Sequence, residues 1–274
     1  MTVIKLPPSV WAEVKPEDSI CVTLDVDSTS DVQRIIDSWR TVDLPLPRIE
    51  LGQKLLYADD LRQSIKRLLP YFSRGNDKSS TVGRLILGLN LSGSPIGVAK
   101  VVELLSDFEV GYTIEISSGL DSLTAATHRQ GKSRAIGLVT PPHVGVDEAR
   151  ELGYTRNFRD LGYLSGLAST MVDAARHRGV RAFLCSHLDV AISSSAIKKY
   201  VYARVPWDGM YQPRVGSIAE AVSAGAEIIF IRQGILYPPE RIGSPEKALR
   251  LVYEEVIRAR EKSKKRGLVL SESK

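Results

Sequence analysis

Along the chain, short runs that are apolar at nearly every position alternate with longer stretches in which apolar residues recur every three or four places. The short runs are SICVTLDV (19–26), PRIELG (47–52), RLILGLN (84–90), GYTIEIS (111–117), RAIGLVT (134–140), VRAFLCS (180–186), YVYARVP (200–206) and AEIIFIR (226–232). Continuous apolar character, in place of strict alternation, predicts parallel strands covered on both faces. Between them, DVQRIIDSWR sets Val32, Ile35, Ile36 and Trp39 at helical spacing, and DDLRQSIKRLLPYF does the same with Leu61, Ile65, Leu68 and Leu69 behind an Asp59 or Asp60 cap. IGVAKVVELL, LDSLTAATHR and LSGLASTMVDAARHRG continue the series. SIAEAVSAG carries a capping box, Ser217 with Glu220, and stops at Gly225. SPEKALRLVYEEVIRAREK opens on Ser244 and Pro245 as the last and longest helix.

Eight β-then-α units in 274 residues predict an α/β fold, a (β/α)8 TIM barrel. Residues 1–274 read as a single domain, with the barrel proper at about 19–262 and a basic C-terminal extension. The competing open sheet would carry a glycine fingerprint after an early strand, and LDVDSTSDV has none. Two loops are long: SRGNDKSSTVG (73–83) and PPHVGVDEARELGYTRN (141–157). The second leaves the C-terminal face, where barrel sites are built, and is a candidate lid.

Composition narrows the classes. No apolar run approaches the eighteen or so residues of a membrane helix, and the first residues lack a signal-peptide core, so a cytoplasmic protein without membrane association is expected. Cys21 and Cys185 lie in strand-like runs and read as small core hydrophobes, with no zinc spacing; neither metal nor cofactor is expected. The net charge of +5 owes much to REKSKKRG near the C-terminus. Such a tail would favour anionic ligands weakly and could touch nucleic acid, but without interleaved aromatics or a recognisable module a nucleic-acid role is not expected.

The chemistry of a barrel sits at the strand C-termini. Those positions hold Asp25 and Asp27, Glu50, Asn90, Glu115, Asp189, Asp208 and Arg232. Glu50 and Glu115 stand inside apolar strands, where an acid needs a partner or a raised pKa; each is either a structural pair or a base. In the last third, Gln212 in the loop after strand seven, Arg232 and Gly234 predict a phosphate site, since loops after the last two barrel strands commonly form one. Arg232 would grip an oxyanion with its fork and Gln212 would donate from its amide. CSHLD reads as a core cysteine beside a rim histidine. His128 and His177 read as solvated, and His143 as a loop residue within reach of a ligand. Trp207 and Tyr211 either stack on a base or pack the strand-seven loop.

VPWDGMYQPRVGSIAEAVSAGAEIIFIRQGIL resembles the last two β/α units of the orotidine 5′-phosphate decarboxylase family, one of the ribulose-phosphate-binding barrels. SICVTLDVD resembles that family's first strand, and LGYLSGLASTMVDAARHRGVRAFLCS its fifth helix and sixth strand, so the likeness spans roughly 19 to 262. The resemblance implies phosphate contacts at Gln212 and Arg232, a sugar contact at Asp25, and a homodimer. The family's Asp-x-Lys-x-x-Asp motif does not carry over: Gly88, Asn90 and Gly93 stand there, Gly93 at the acid that the family lends across its dimer. Glu50 falls at the strand-two lysine, with Lys54 four residues on, and Glu115 where many members have histidine. A neutral Asn90 neither stabilises a carbanion by charge nor protonates it.

Three functions follow. The first is a decarboxylase-like barrel that binds a phosphorylated small molecule or nucleotide without standard decarboxylase activity. The second is an active decarboxylase, or a sugar-phosphate lyase or isomerase, with rearranged groups: Glu50 or Glu115 as base and Lys54 stabilising charge. The third is a non-catalytic scaffold.

Overall fold

All eight apolar runs become strands: β1 (Ile20–Leu24), β2 (Arg48–Leu51), β3 (Leu85–Leu91), β4 (Gly111–Glu115), β5 (Arg134–Leu138), β6 (Ala182–Cys185), β7 (Lys198–Arg204) and β8 (Ile228–Ile231). The computed structural model describes residues 16–41, 45–58, 60–72, 84–139, 161–187, 198–207, 215–232 and 234–272. The loops at 73–83 and 141–157, with His143, lie outside them, as do Asp59, Asp189, Asp208, Tyr211 and Gln212.

Each strand pairs in parallel with the next, β1 to β7 in order, and β8 lies between β7 and β1. The sheet therefore closes on itself as an eight-stranded barrel, which leaves no unpaired edge. A two-residue strand, Gly216–Ser217, pairs with the end of β7.

Closure explains the apolar runs, because each strand buries both faces. Cys21, Ile86, Leu138, Leu184, Tyr202 and Phe230 belong to the inner cluster, with Phe230 stacked on Tyr200 at 5.8 Å and met edge-on by Tyr202 at 6.0 Å. The alternate residues, such as Val22, Leu51, Leu87, Ile114, Phe183 and Ile231, pack with the helices in the larger outer cluster. Cys185 belongs to that outer layer, as a core cysteine should.

The helices are α1 (Thr29–Thr41), α2 (Gln53–Ala58), α3 (Leu61–Phe72), α4 (Pro95–Leu105), α5 (Leu120–Arg129), α6 (Leu161–His177), α7 (Ile218–Ala224) and α8 (Pro245–Glu272). α1 buries Val32, Ile36 and Trp39, the stripe its periodicity marks; Ile35 is only partly buried against it. Asp60 caps α3 by accepting from the Gln63 amide at 3.0 Å. Six-residue α2 has no sequence signal of its own, being too short to repeat a stripe.

The capping box of α7 forms as its sequence predicts. Ser217 Oγ accepts from the Glu220 amide at 3.2 Å, Glu220 Oε2 accepts from the Ser217 amide at 2.7 Å, and Gly225 takes a left-handed φ of 96°. Those bonds hold the Glu220 carboxyl below its ordinary range. Ser217→Ala is expected to cost about 1 kcal/mol, read as a lower denaturation midpoint in urea, with Ser217→Asp recovering most of it.

Candidate functional site

The C-terminal mouth of the barrel is built by strand alternation. Cys21 faces the interior, so Thr23 and Asp25, two and four residues on, lie on the same side of β1 and its extension. Thr23 is level with Glu50 of β2, which is level with Ile86 of β3. Thr23 Oγ1 donates to Glu50 Oε2 at 2.6 Å, and Glu50 is only 3 % exposed.

Burial pushes the Glu50 carboxyl above its ordinary pKa. The Thr23 hydrogen bond and the positive charge of Arg232 pull the other way, and neighbouring Asp25 adds to the rise. Asp25 itself is half-buried against Gly52, where a Cβ would stand 2.6 Å from Asp25 Oδ1. Glycine there lets the two strand ends approach.

Beside them, on the strand next to β1, Arg232 follows β8 and is exposed, with its guanidinium carbon 5.3 Å from the centre of the buried Tyr202 ring. No salt bridge joins it to a described residue. The Tyr202 hydroxyl is raised far above its ordinary pKa by burial first and by Glu50 second, so it stays a neutral donor. Trp207, beyond β7, donates its indole N–H to the Gly234 carbonyl at 2.8 Å and so ties the loops after β7 and β8 together. Of the two readings its sequence left open, packing is the contact seen among the described residues.

Asn90 has a φ of +46°, at the point where the β3–β4 register shifts between Leu87 and Leu91. Asparagine tolerates that left-handed conformation better than most residues. The fully buried Thr113 hydroxyl accepts from the Asn90 amide N–H at 2.8 Å and donates to Asn90 Oδ1 at 2.8 Å. With Oδ1 and the backbone N–H engaged, Nδ2 is the polar group that Asn90 has left to offer a ligand.

Gly88, one inward step before Asn90, lies over Glu50: a Cβ there would come within 3.0 Å of both Glu50 Oε1 and the Leu51 carbonyl oxygen. Gly88→Ala is therefore expected to cost about 1–2 kcal/mol in thermal or urea unfolding, because the backbone oxygen cannot step aside alone.

The other sequence candidates disperse. Lys54 sits at the start of α2 with its Nζ 2.6 Å from Asp27 Oδ1, both side chains exposed. That bond raises its pKa and ties it to the rim acid. Glu115 is half-buried at the end of β4, beside Leu138 of β5. His187 packs on Gly216, where a Cβ would be 2.7 Å from its Nδ1, and His128 and His177 are exposed. Among the described residues no group of three or more His, Cys, Asp or Glu is placed to hold a metal ion. No described helix is long and apolar enough to cross a membrane.

Thr23, Thr113 and Tyr202 were not singled out from sequence, yet each orders a charged or polar group of the mouth. Period-two spacing was the available signal: Thr23 precedes Asp25 by two, and Thr113 precedes Glu115 by two.

Fold and mouth together define a closed (β/α)8 barrel with acids, an amide and an arginine at the C-terminal ends of its strands. The chain is 26% identical over 249 residues to the orotidine 5′-phosphate decarboxylase of Aquifex aeolicus (strain VF5), covering 86% of this chain and 98% of that one. The crystal structure of orotidine 5′-phosphate decarboxylase from Lactobacillus acidophilus superposes with a TM-score of 0.64 at 16% identity, over 87% of this chain and 99% of that one. An uncharacterized conserved protein from Geobacillus kaustophilus gives 0.63 at 15% identity, over 86% and 99%. No protein-family model matches the chain. The chain thus has the fold of the orotidine 5′-phosphate decarboxylases and ribulose-phosphate-binding barrels, with weak sequence homology to them.

Proposed function

We propose that this barrel binds a phosphorylated small molecule or a nucleotide and does not carry out standard orotidylate decarboxylation. Arg232 grips the phosphate together with Gln212 and the backbone around Gly234, Asp25 meets the sugar, and Asn90 faces the head group. The observation that carries the reading is Asn90 locked to Thr113 where the resemblance calls for a lysine. An amide fixed through its own oxygen supplies neither the positive charge that a departing carboxylate leaves behind nor a proton to replace it. The exposed Arg232 over Tyr202 supports the other half of the proposal, an anion grip with its charge available.

A second reading draws on Glu50. A buried carboxyl with a raised pKa is what a general base near neutral pH requires, and an isomerase or lyase acting on a sugar phosphate would use it. Lys54, held by Asp27, fits poorly as its charge-stabilising partner.

Thermal melts with 5′-nucleoside monophosphates, run beside a spectroscopic assay of orotidylate, test the proposal. Nucleotides are expected to raise the melting temperature while orotidylate stays chemically intact. Carbon dioxide release at enzymic speed, or no shift with any phosphate ester, overturns it. Under the second reading a sugar-phosphate turnover disappears with Glu50→Gln or Glu115→Gln.

A further inference from the structure

Glu50 has one carboxyl oxygen engaged and one open. Thr23 donates to Oε2, and no described residue donates to Oε1, although the side chain is almost wholly withdrawn from solvent. Oε1 borders the space above Gly88, which the absent side chain leaves clear. Oε1 carries the little exposure that the side chain has, so a ligand donor entering the mouth can reach it in place of water.

The surroundings say which donor fits. Asp25 brings a second negative charge within electrostatic range of Glu50, and the one cation among the described residues that Glu50 senses, Arg232, makes no salt bridge to a described residue. If Arg232 holds the phosphate, its charge is consumed there. What remains for the rest of the ligand is Glu50 Oε1 as acceptor, Asn90 Nδ2 as donor and a local excess of negative charge. A ligand carboxylate placed among them would face two acids across a poorly screening interior. An amino group would complete the hydrogen bonding of Glu50 and gain from its charge.

Resting on the phosphate-binding reading above, we infer that the ligand is a phosphate ester whose other end carries an amino donor beside a hydrogen-bond acceptor and no carboxylate. Cytosine has that face; orotate has the opposite one.

The test is calorimetric titration of the full chain with cytidine 5′-monophosphate, uridine 5′-monophosphate and orotidine 5′-monophosphate. These share phosphate and ribose and differ in the head group. The cytidine compound is expected to bind about tenfold or more tighter than orotidylate, a gap of about 1.4 kcal/mol, with the uridine compound between. In Glu50→Gln, whose amide offers a donor as well as an acceptor, the gap is expected to close to about threefold, with a melt confirming that the variant is folded. Orotidylate binding as tightly as the cytidine compound, or an order untouched by Glu50→Gln, overturns the inference. If all three bind alike and all weaken together in Arg232→Ala, the inference falls and the phosphate reading stands. If none binds, both fall.

Discussion

Arg232→Ala is expected to weaken 5′-nucleotide binding about 10- to 100-fold, the range set by losing one charge-assisted contact. The melting temperature of the ligand-free protein should fall by only about 1–4 °C. Arg232 is exposed and makes no salt bridge to a described residue, and its one ring contact, with Tyr202, is worth about 0.5–1 kcal/mol at such a position. Structure and binding therefore separate cleanly at this residue. Arg232→Lys keeps the charge and loses the planar fork, so it should recover only part of the affinity. Calorimetry with a nucleoside monophosphate, paired with melts of the free variants, reads both quantities. Unchanged affinity in Arg232→Ala would remove this residue from the anion site.

The mouth is organised by what surrounds the charged groups as much as by the groups themselves. Thr23 aims Glu50, Thr113 aims Asn90, and Trp207 fixes the loop that follows Arg232. Each is a short contact between neighbouring strands or their loops, which is how a barrel converts strand register into site geometry. Where the resemblance calls for a lysine on strand two, Glu50 stands beside a neutral Asn90 on strand three, and under the proposed function this wall would receive a donor in place of an anionic head group.

How far this was legible in the sequence depends on the range of the interaction responsible. Strands closed into a barrel must be apolar on both faces, so all eight could be read from their continuous apolar runs. The α7 cap was equally readable, because Ser217, Glu220 and Gly225 interact within one short segment. The prominence of Glu50 was readable too, as an acid where apolar residues surround it. The left-handed turn at Asn90 was not, since it depends on the register of β3 against β4 and on a hydroxyl 23 residues away. Lys54 looked like a partner for Glu50 by sequence distance. The start of α2 just after Gly52 instead delivers it to Asp27. The approach of Arg232 to Glu50 required the barrel to close, which brings the last strand beside the first.

Glu50→Gln is expected to make the free protein more stable at neutral pH while weakening the head-group preference. The direction follows from linkage. Burial raises the folded-state pKa of Glu50 above its unfolded value, so the side chain favours folding fully only below the ordinary carboxylate range. As pH climbs from there towards the raised folded value, the unfolded chain has already released its proton and the folded one has not. Stability is lost across that window and then levels off. Glutamine does not titrate, and its side-chain carbonyl can still accept from Thr23. The variant should therefore melt close to the parent at acidic pH and progressively above it as pH rises through the window. The gain is roughly 2–4 °C for each kcal/mol of relieved strain in a chain of this size. Paired melts from acid to mildly alkaline pH measure it. A gap that stays flat, or that narrows as pH increases, would mean that Glu50 is stabilised as a structural anion. A gap that opens in the expected direction, together with weakened ligand selectivity, marks an acid kept at the expense of stability for what it does at the mouth.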